Sequence, residues 1–447
     1  MSELAQNSVD KDPSSNGDFS EIRSEIAYKL FYDPSYRVFD AMEEMSAATE
    51  DFIHTLAKEY PDTVLWVGGS LGRREMLPNS DIDLFAIYDD ANQESNDIYV
   101  NGVDKFELGH IDINSLENLL TNSLVDANRF IDGRSVGVRP ATDVESIMEK
   151  INTSDRQLAN NISEYFYYRY FDFPQKTTEN GPNLKYSTGS TRDTIFFNMI
   201  SRMNSDIFPA KRGTQPELLE VLNATEEHYG IKAPYEAIDL LFIAKNAAIS
   251  VYDKTGDIRS RYVSSVSLAA IYDFCKEKFK ARGIFSADEF IDAYRAARVE
   301  LELAVDTLFT AALSEHPVSP TFDALLNLPK EEIPAASIAA VENESEYPHA
   351  VTAFASWLTM ISNPSGKDMD TLATLLISKP LDESWGGIMA VACAPATEDG
   401  TLSRLADWLY ENEKGAYLLK LITRNPASSP TTKTKALAYY KDKEIIT

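Results

Sequence analysis

Apolar positions recur at helical spacing over residues 21–59, and Pro34 divides this stretch into two predicted helices. The pattern then changes to short runs that are rich in β-branched and aromatic residues, which is typical of strands. We expect strands at 63–67, 81–88 and 105–114. Because a turn and a short helix connect the first two, the pattern predicts a small mixed β-sheet with helices packed against it.

From about residue 115 onward nearly every periodic stretch is helical, and we expect no further strands there. The longest predicted helices cover residues 143–170, 234–251 and 286–313. A Pro-containing break at 316–320 precedes a second helical region, in which the sequence shows no convincing internal repeat but leaves stacked helical hairpins open as an alternative. The predicted fold class is therefore α+β, with a mostly α-helical C-terminal part.

These changes of pattern predict four segments. They are a polar, disordered leader at 1–20, a core with N-terminal helices at 21–140, a helical domain at 141–317, and a C-terminal helical domain at 318–447. The sequence does not indicate a role for the last segment.

The overall charge changes the range of expected partners. The 447 residues include 42 Lys and Arg against 70 Asp and Glu, so the net charge of −28 argues against nonspecific binding of nucleic acid. Cys275 and Cys393 alone cannot form a disulfide framework or a zinc knuckle. We also expect a cytoplasmic protein without a membrane segment, because no apolar run reaches the roughly 18 residues of a membrane span.

The most informative segment is 68–84, GGSLGRREMLPNSDIDL. Asp81 and Asp83 lie two residues apart on a predicted strand, so both project from the same face. A bound Mg²⁺ ion would relieve the repulsion between two such carboxylates and could also bind a triphosphate. The pair therefore predicts a divalent-metal site.

A glycine-rich turn precedes these carboxylates. The first predicted strand ends in Gly-Gly-Ser, and glycines such as Gly69 and Gly72 let the backbone approach phosphate oxygens closely. Ser70 could add a hydroxyl hydrogen bond, and Arg73 or Arg74 a permanently charged guanidinium. Either motif alone is more often a turn or a solvated strand face; their order and spacing together favour a nucleotide site.

This order of motifs resembles the nucleotidyltransferase superfamily that includes DNA polymerase β. The intervening residues 72–75 (GRRE) and 78–80 (PNS) are more specifically similar to the bacterial PII uridylyltransferase family. That family usually has a third glycine where this chain has Arg74. The resemblance therefore extends beyond the general superfamily pattern, with one departure in the turn.

Two later segments are similar to the same family. Residues 181–193, GPNLKYSTGSTRD, match its Pro-Asn-Leu-Lys segment and following Gly-Gly-x-Arg-Asp, with Ser190 in place of the second glycine. Residues 283–308 resemble the long helix that closes its nucleotidyltransferase module. The resemblance implies that Lys185 and Arg192 bind the triphosphate; without it, this loop is a capped helix start with solvated charges.

The resemblance also implies a third carboxylate on a neighbouring strand. We choose Asp112, with Glu107 as the alternative that a regular strand would point to the opposite face. His110 lies beside Asp112 on the same predicted strand and is interpreted as structural.

The implied activity is transfer of a nucleoside monophosphate from a nucleoside triphosphate to a hydroxyl group, with release of pyrophosphate. Asp81, Asp83 and Asp112 would hold two Mg²⁺ ions, with Mn²⁺ as an alternative. The implied donor is UTP, followed by ATP, and the implied acceptor is a tyrosine on a small regulatory protein; a protein acceptor ranks before a small molecule and RNA.

Full-length family members also carry a His-Asp hydrolase domain and small-ligand sensor domains. The five histidines of this chain neither precede an Asp nor cluster, so we expect the hydrolase activity to be missing. We also expect the sensor domains to be missing. Two alternatives stay open: a catalytically inactive nucleotide-binding regulatory module, and a toxin or defence enzyme that modifies tRNA.

Overall fold

The computed structural model describes residues 16–58, 60–61, 63–88, 106–113, 116, 130, 133–136, 143–147, 165, 183–185, 189–203, 217–252, 265–315, 324–325, 328–329, 331–343, 355, 358, 364–412 and 416–444. Most of the predicted helix at 143–170 lies outside the described residues, although 143–147 are helical. The predicted break at 316–320 also lies outside them.

Helices dominate the described part of the chain. They are α1 (Asn16–Tyr32), α2 (Val38–Ala57), α3 (Gly69–Gly72), α4 (Thr194–Met203), α5 (Leu218–Tyr229), α6 (Tyr235–Tyr252), α7 (Ser265–Phe274), α8 (Lys276–Ala281), α9 (Ala287–Glu315), α10 (Ile333–Asn343), α11 (Gly366–Ile377), α12 (Leu381–Cys393), α13 (Asp399–Glu411), α14 (Ala416–Arg424) and α15 (Pro430–Glu444). A 3₁₀ turn at Thr191–Asp193 leads into α4. No helix in these ranges is long and apolar enough to cross a membrane.

The strands form one mixed sheet. Strands β1 (Val64–Val67), β2 (Ile82–Tyr88), β3 (Phe106–Asp112) and β4 (Arg134–Ser135) are arranged in the order β3-β2-β1-β4. The central strand β1 pairs antiparallel with β2 and β4, whereas β2 and β3 are parallel. The small mixed sheet predicted from the sequence is confirmed.

Both faces of the sheet are covered. Leu65, Val67 and Leu84 belong to the main core. Trp66 and Ile87, on the opposite face, join a smaller cluster. Because side chains alternate along a strand, Asp83 lies on the same face as Ile87, at the end where β2 begins.

A buried polar network fixes the corner between α1 and α2. The ammonium group of Lys278 donates hydrogen bonds to the carbonyl oxygens of Asp33 (3.0 Å) and Tyr36 (2.6 Å). The fully buried Asp239 accepts from the backbone N–H of Val38 (2.6 Å) and pairs with Arg282. These bonds attach the N-terminal hairpin to α6 and α8, and α6 contributes to the site described below.

The structure refines the predicted boundaries near the N-terminus. The division at Pro34 is confirmed, because α1 ends at Tyr32 and α2 begins at Val38. Helix α1 begins at Asn16, inside the predicted leader. The expectation of no strand after residue 115 was wrong, because Arg134–Ser135 forms β4. Two residues are too few to leave a periodic signal.

The C-terminal helices form stacked hairpins, the arrangement that the sequence analysis left open. Hairpin α11–α12 is followed by hairpin α13–α14 and then by α15; α12 packs on α14, and α13 packs on α15. Helix α11 packs against α13 from the other side. Such side-by-side stacking of equivalent helices is the architecture of an α-solenoid.

Local bonds reveal the period of this repeat. Thr397 donates to the carbonyl oxygen of Val391 (2.7 Å), and Ser428, 31 residues later, donates to that of Ile422 (2.8 Å). Prolines occur with the same 31-residue spacing at positions 364, 395 and 426. Few positions repeat with this spacing, because most helical residues between the turns need no more than an apolar face.

Candidate functional site

The glycine turn connects the central strand to the start of β2. Strand β1 ends at Val67, and α3 begins two residues later at Gly69. The N–H of Gly68 donates to the carbonyl oxygen of Asp83 (3.0 Å), and that of Gly72 to Gly68 (2.9 Å). These backbone bonds hold the turn beside the first residues of β2.

The carboxylate of Asp83 packs directly on Gly69. Gly69 has φ +57°, in the left-handed region that favours glycine, and an ideal Cβ there would lie 1.9 Å from Oδ2 of Asp83. The space that any side chain would need is therefore occupied by this carboxylate. The structure brings together the two motifs that the sequence predicted to act jointly.

Asp81 lies one residue before β2 and is exposed. The loop preceding it is fixed from two sides, because the Arg23 side chain of α1 donates to the carbonyl oxygens of Pro78 and Ser80. Asn79 donates to the carbonyl oxygen of Asn246 on α6 (3.2 Å). These anchors hold Asp81 between the sheet and α6.

The register of the parallel pair decides between the two candidates for a third carboxylate. Glu107 is the Cα partner of Asp83, whereas Asp112 is the partner of Tyr88. Five residues at about 3.3 Å each separate Asp112 from the position beside Asp83 by roughly 16 Å along the strand. The register therefore argues against Asp112, our sequence-based choice, and favours Glu107.

The loop around Lys185 is closed by its own backbone. Ser190 Oγ and the Arg192 N–H both donate to the carbonyl oxygen of Lys185, at 2.7 and 3.2 Å. Asp193, which is fully buried, accepts from the N–H of Gly189 (2.8 Å). The bonds hold Lys185 and Arg192 side by side, and Asp193 stabilises the turn that carries them.

Gly189, like Gly69, lies where the surrounding atoms leave no room for a side chain. Its φ is +69°, and a Cβ would lie 2.3 Å from the backbone oxygen of Arg298 on α9. The 3₁₀ turn also packs against α4 and α6. This close approach fixes the Lys185 loop to the helical part of the molecule.

Lys245 is a candidate site residue that the sequence analysis missed. It lies on α6, one residue before the Asn246 carbonyl that binds Asn79, and its ammonium group is 5.5 Å from the centre of the Phe242 ring. Its sequence signal is a single Lys within the apolar run LLFIAKNAAI. A lone cation on a buried helix is costly unless it has a partner, and this could have identified it.

The electrostatics of Lys245 connect the separate parts of the site. Its pKa is lowered to about 7, chiefly by burial and next by the positive charge of Lys185. Asp81 and Glu75 act in the opposite direction, and Arg192 lowers the pKa further. Because charges influence a pKa only over short distances, Asp81, Lys185 and Arg192 each lie in the neighbourhood of Lys245.

The other predicted turn residues have defined surroundings. Ser70 is partly exposed, and its carbonyl oxygen accepts from the Glu75 N–H (2.7 Å). Gly72 is buried. Arg73 is buried and pairs with Glu75 at 3.1 Å (Nε–Oε2). Since this guanidinium is engaged within the protein, its role as a phosphate ligand stays a prediction.

Arg74 occupies the position at which the family that this sequence resembles usually has glycine. It adopts φ +52°, so the backbone keeps a conformation that glycine favours. Its side chain pairs with Glu217, which directly precedes α5 (Nη1–Oε1 2.6 Å). A second ion pair nearby joins Arg134 of β4 to Glu50 of α2. The arginine therefore connects the turn to α5 while the shape of the turn is retained.

The donor set fits a hard divalent cation. Asp81 and Asp83 supply carboxylate oxygens, which Mg²⁺ prefers, and the Asp83 carboxylate lies against the backbone of Gly69. Within the described residues no group of three or more Asp, Glu, His or Cys side chains is close enough to hold a metal ion. A third ligand would come from β3, where the register brings the Glu107 backbone beside Asp83.

Comparison with known proteins supports the same superfamily. Residues 50–156 match the model of a family described as "Nucleotidyltransferase domain". The match includes all four strands and the glycine turn, and domains of this kind use a nucleoside triphosphate and generally a divalent metal. No curated protein matches the chain. The resemblance to the nucleotidyltransferase superfamily is confirmed for this segment.

Proposed function

We propose that the protein transfers a nucleoside monophosphate from a nucleoside triphosphate to a hydroxyl group of a protein acceptor. The acceptor oxygen forms a bond to the α-phosphorus while the bond to the bridging oxygen breaks. Pyrophosphate leaves with the bridging oxygen, and the hydroxyl proton passes to water. The match at residues 50–156 supports nucleotidyl transfer in general. The donor nucleotide and the protein acceptor go beyond that match.

One observation carries the proposal. The Asp83 carboxylate lies against Gly69 of the glycine turn, and Asn79 attaches the loop before Asp81 to α6 beside Lys245. Asp81 raises the pKa of Lys245, whereas Lys185 and Arg192 lower it. Three segments far apart in sequence thus place carboxylates and cations in one region. This division suits a triphosphate, whose negative charge needs cations along its length while its metal needs carboxylates.

Each residue has a role that follows from its surroundings. Asp81 and Asp83 would hold the metal, with Glu107 as the third carboxylate. Mg²⁺, when bound, supplies charge neutralisation at the α-phosphate and at the leaving pyrophosphate, as in two-metal enzymes. Gly69 keeps Asp83 in place and Ser70 offers its hydroxyl to a phosphate oxygen.

The cations would grip the β- and γ-phosphates. Arg192 can form two parallel hydrogen bonds to a phosphate, whereas Lys185 and Lys245 act as compact charges. The lowered pKa of Lys245, about 7, means that an anionic ligand would restore its positive charge on binding. Bound triphosphate therefore relieves the mutual repulsion of the three cations.

Donor and acceptor follow from the closer sequence resemblance. Similarity to the PII uridylyltransferase family supports UTP as the donor, with ATP next, and a protein hydroxyl as the acceptor. The net charge of −28 makes RNA a less favourable acceptor than a protein.

The test uses α-phosphate-labelled UTP and ATP with Mg²⁺ and cell extract. We expect wild-type protein to place label into protease-sensitive material, and the double variant Asp81→Asn, Asp83→Asn to lose this transfer. The matched control changes two exposed carboxylates of α9, Asp288→Asn and Asp292→Asn, and should transfer normally. Equal transfer by the site and control variants would overturn the assignment; nuclease-sensitive label would replace the protein acceptor by RNA.

A further inference from the structure

Positive charge is concentrated at one end of the C-terminal solenoid. Residues 416–441, here called the terminal hairpin, contain five basic residues and no Asp or Glu, and Asp442, Lys443 and Glu444 follow at the end of α15. The rest of the chain carries a net charge of −33. The basic residues are Lys420, Arg424, Lys433, Lys435 and Lys441. Such a separation of charge produces a local field that favours an acidic partner.

One of these cations is used inside the solenoid. Lys435 pairs with Asp407 of α13 (2.6 Å) and donates to Ser403 Oγ (3.0 Å). It repeats the role of Arg404, 31 residues earlier, which pairs with Asp370 of α11 (2.9 Å). These pairs connect successive hairpins.

Within the described residues, the other four cations differ from Lys435 in their surroundings. In the part of the chain that the structure describes, no acidic side chain lies within ion-pair distance of Lys420, Arg424, Lys433 or Lys441. Three of them are exposed, and Lys433 is partly exposed. Because three of them are exposed, these cations can be reached by a partner outside the chain.

An apolar side chain lies on the same helix as two of these cations. Leu437 of α15 is 45% exposed and follows Lys433 by one helical turn, with Lys441 one turn further. The ammonium group of Lys420 lies 5.5 Å from the centre of the Tyr440 ring. The surface thus combines cations with an apolar contact point.

We propose that the terminal hairpin is the docking surface for an acidic protein segment, belonging to the acceptor of the transfer reaction. This inference rests on the proposed function. An acidic segment with an apolar side chain would complement both the four cations and Leu437. Docking at this surface would select acidic acceptors before the hydroxyl reaches the metal site.

The surface favours protein over RNA for two reasons. Single-stranded RNA gains affinity from stacking on open aromatic rings, but the Tyr440 ring is covered by Lys420 and the Tyr439 ring stacks on Tyr410, with centroids 4.1 Å apart. A long polyanion would also extend beyond the hairpin into the field of a chain that is otherwise strongly negative.

The test measures binding by the full chain of a fluorescein-labelled 20-residue peptide that repeats Glu-Glu-Leu-Glu. The docking variant carries Lys420→Gln, Arg424→Gln, Lys433→Gln and Lys441→Gln. Its matched control replaces four exposed lysines outside the terminal hairpin, with Lys58→Gln, Lys232→Gln, Lys276→Gln and Lys367→Gln. Thermal unfolding of both variants establishes that each remains folded.

We expect the docking variant to weaken peptide binding at least tenfold and the control to change it less than twofold. Leu437→Asn alone should weaken it severalfold. Equal losses in both variants, or tighter binding of a 20-nucleotide oligouridylate than of the peptide, would overturn the proposal. Asp81→Asn with Asp83→Asn should leave peptide binding intact, so a failure of docking is distinguishable from a failure of transfer.

Discussion

Replacement of Gly69 by alanine separates a local effect on the site from an effect on stability. An added Cβ would lie 1.9 Å from Oδ2 of Asp83, against an ordinary contact distance of about 3.5 Å. The carboxylate must therefore move by about 1.5 Å. The left-handed φ of +57° adds a backbone cost of about 1 kcal/mol for a residue with a Cβ.

The two effects predict different magnitudes. The Asp83 side chain can rotate away, so we expect Gly69→Ala to lower the free energy of unfolding by only about 1–2 kcal/mol. A displacement of about 1 Å in a catalytic group can cost about 100-fold in rate. We therefore expect at least about a 100-fold loss of nucleotidyl transfer, equivalent to about 2.7 kcal/mol in the activation barrier.

Gly230 provides the control. It has φ +65°, and no atom lies within 4 Å of the position that its Cβ would take. Gly230→Ala should lose about 1 kcal/mol of stability through the same backbone strain and keep full activity. Urea unfolding and labelled-nucleotide transfer measure the two quantities. Wild-type activity in Gly69→Ala, or an equal loss in Gly230→Ala, would refute the reasoning.

Three further predictions concern single residues. Glu107→Gln should reduce transfer at least 100-fold while Asp112→Asn stays within about threefold; the reverse result in a rate assay would restore Asp112 as the third carboxylate. Lys245→Met should weaken UTP binding without Mg²⁺ at least tenfold by calorimetry, and Lys245→Arg should recover most of it; unchanged affinity in Lys245→Met would remove this residue from the site. Burial lowers the pKa of Lys278 from 10.5 to about 8. Between pH 8 and 10.5 the unfolded protein therefore binds a proton at Lys278 that the folded protein does not, so the free energy of unfolding should rise with pH. We expect this rise to reach about 3 kcal/mol relative to Lys278→Met. Parallel stability curves for both proteins between pH 8 and 10.5 would contradict the buried charge.

The sequence predicted those parts of the fold that are determined by residues close together in the chain. Strand β2 follows from alternation within a few residues, and the glycine turn follows from the conformations that glycine allows. Asp83 and Gly69 meet because one short connection joins their strands. The sequence therefore predicted both the motifs and their proximity.

Other features depend on contacts between distant segments. Whether Glu107 or Asp112 lies beside Asp83 depends on the register of β2 and β3, and alternation in one strand carries no information about its partner's register. Lys245 enters the site through the packing of α6, which its own helix does not specify. The solenoid repeat at Thr397 and Ser428 depends on two hydroxyl bonds within otherwise different helices.

The fate of each phosphate tests nucleotidyl transfer most directly. Wild-type protein, Mg²⁺ and extract would be incubated in parallel with UTP labelled at the α-phosphate and at the γ-phosphate. Our account predicts that the α-label enters protein while the γ-label leaves as pyrophosphate and enters protein no more than it does with the double variant Asp81→Asn, Asp83→Asn. Entry of the γ-label into protein beyond that level would identify a kinase reaction and contradict the account.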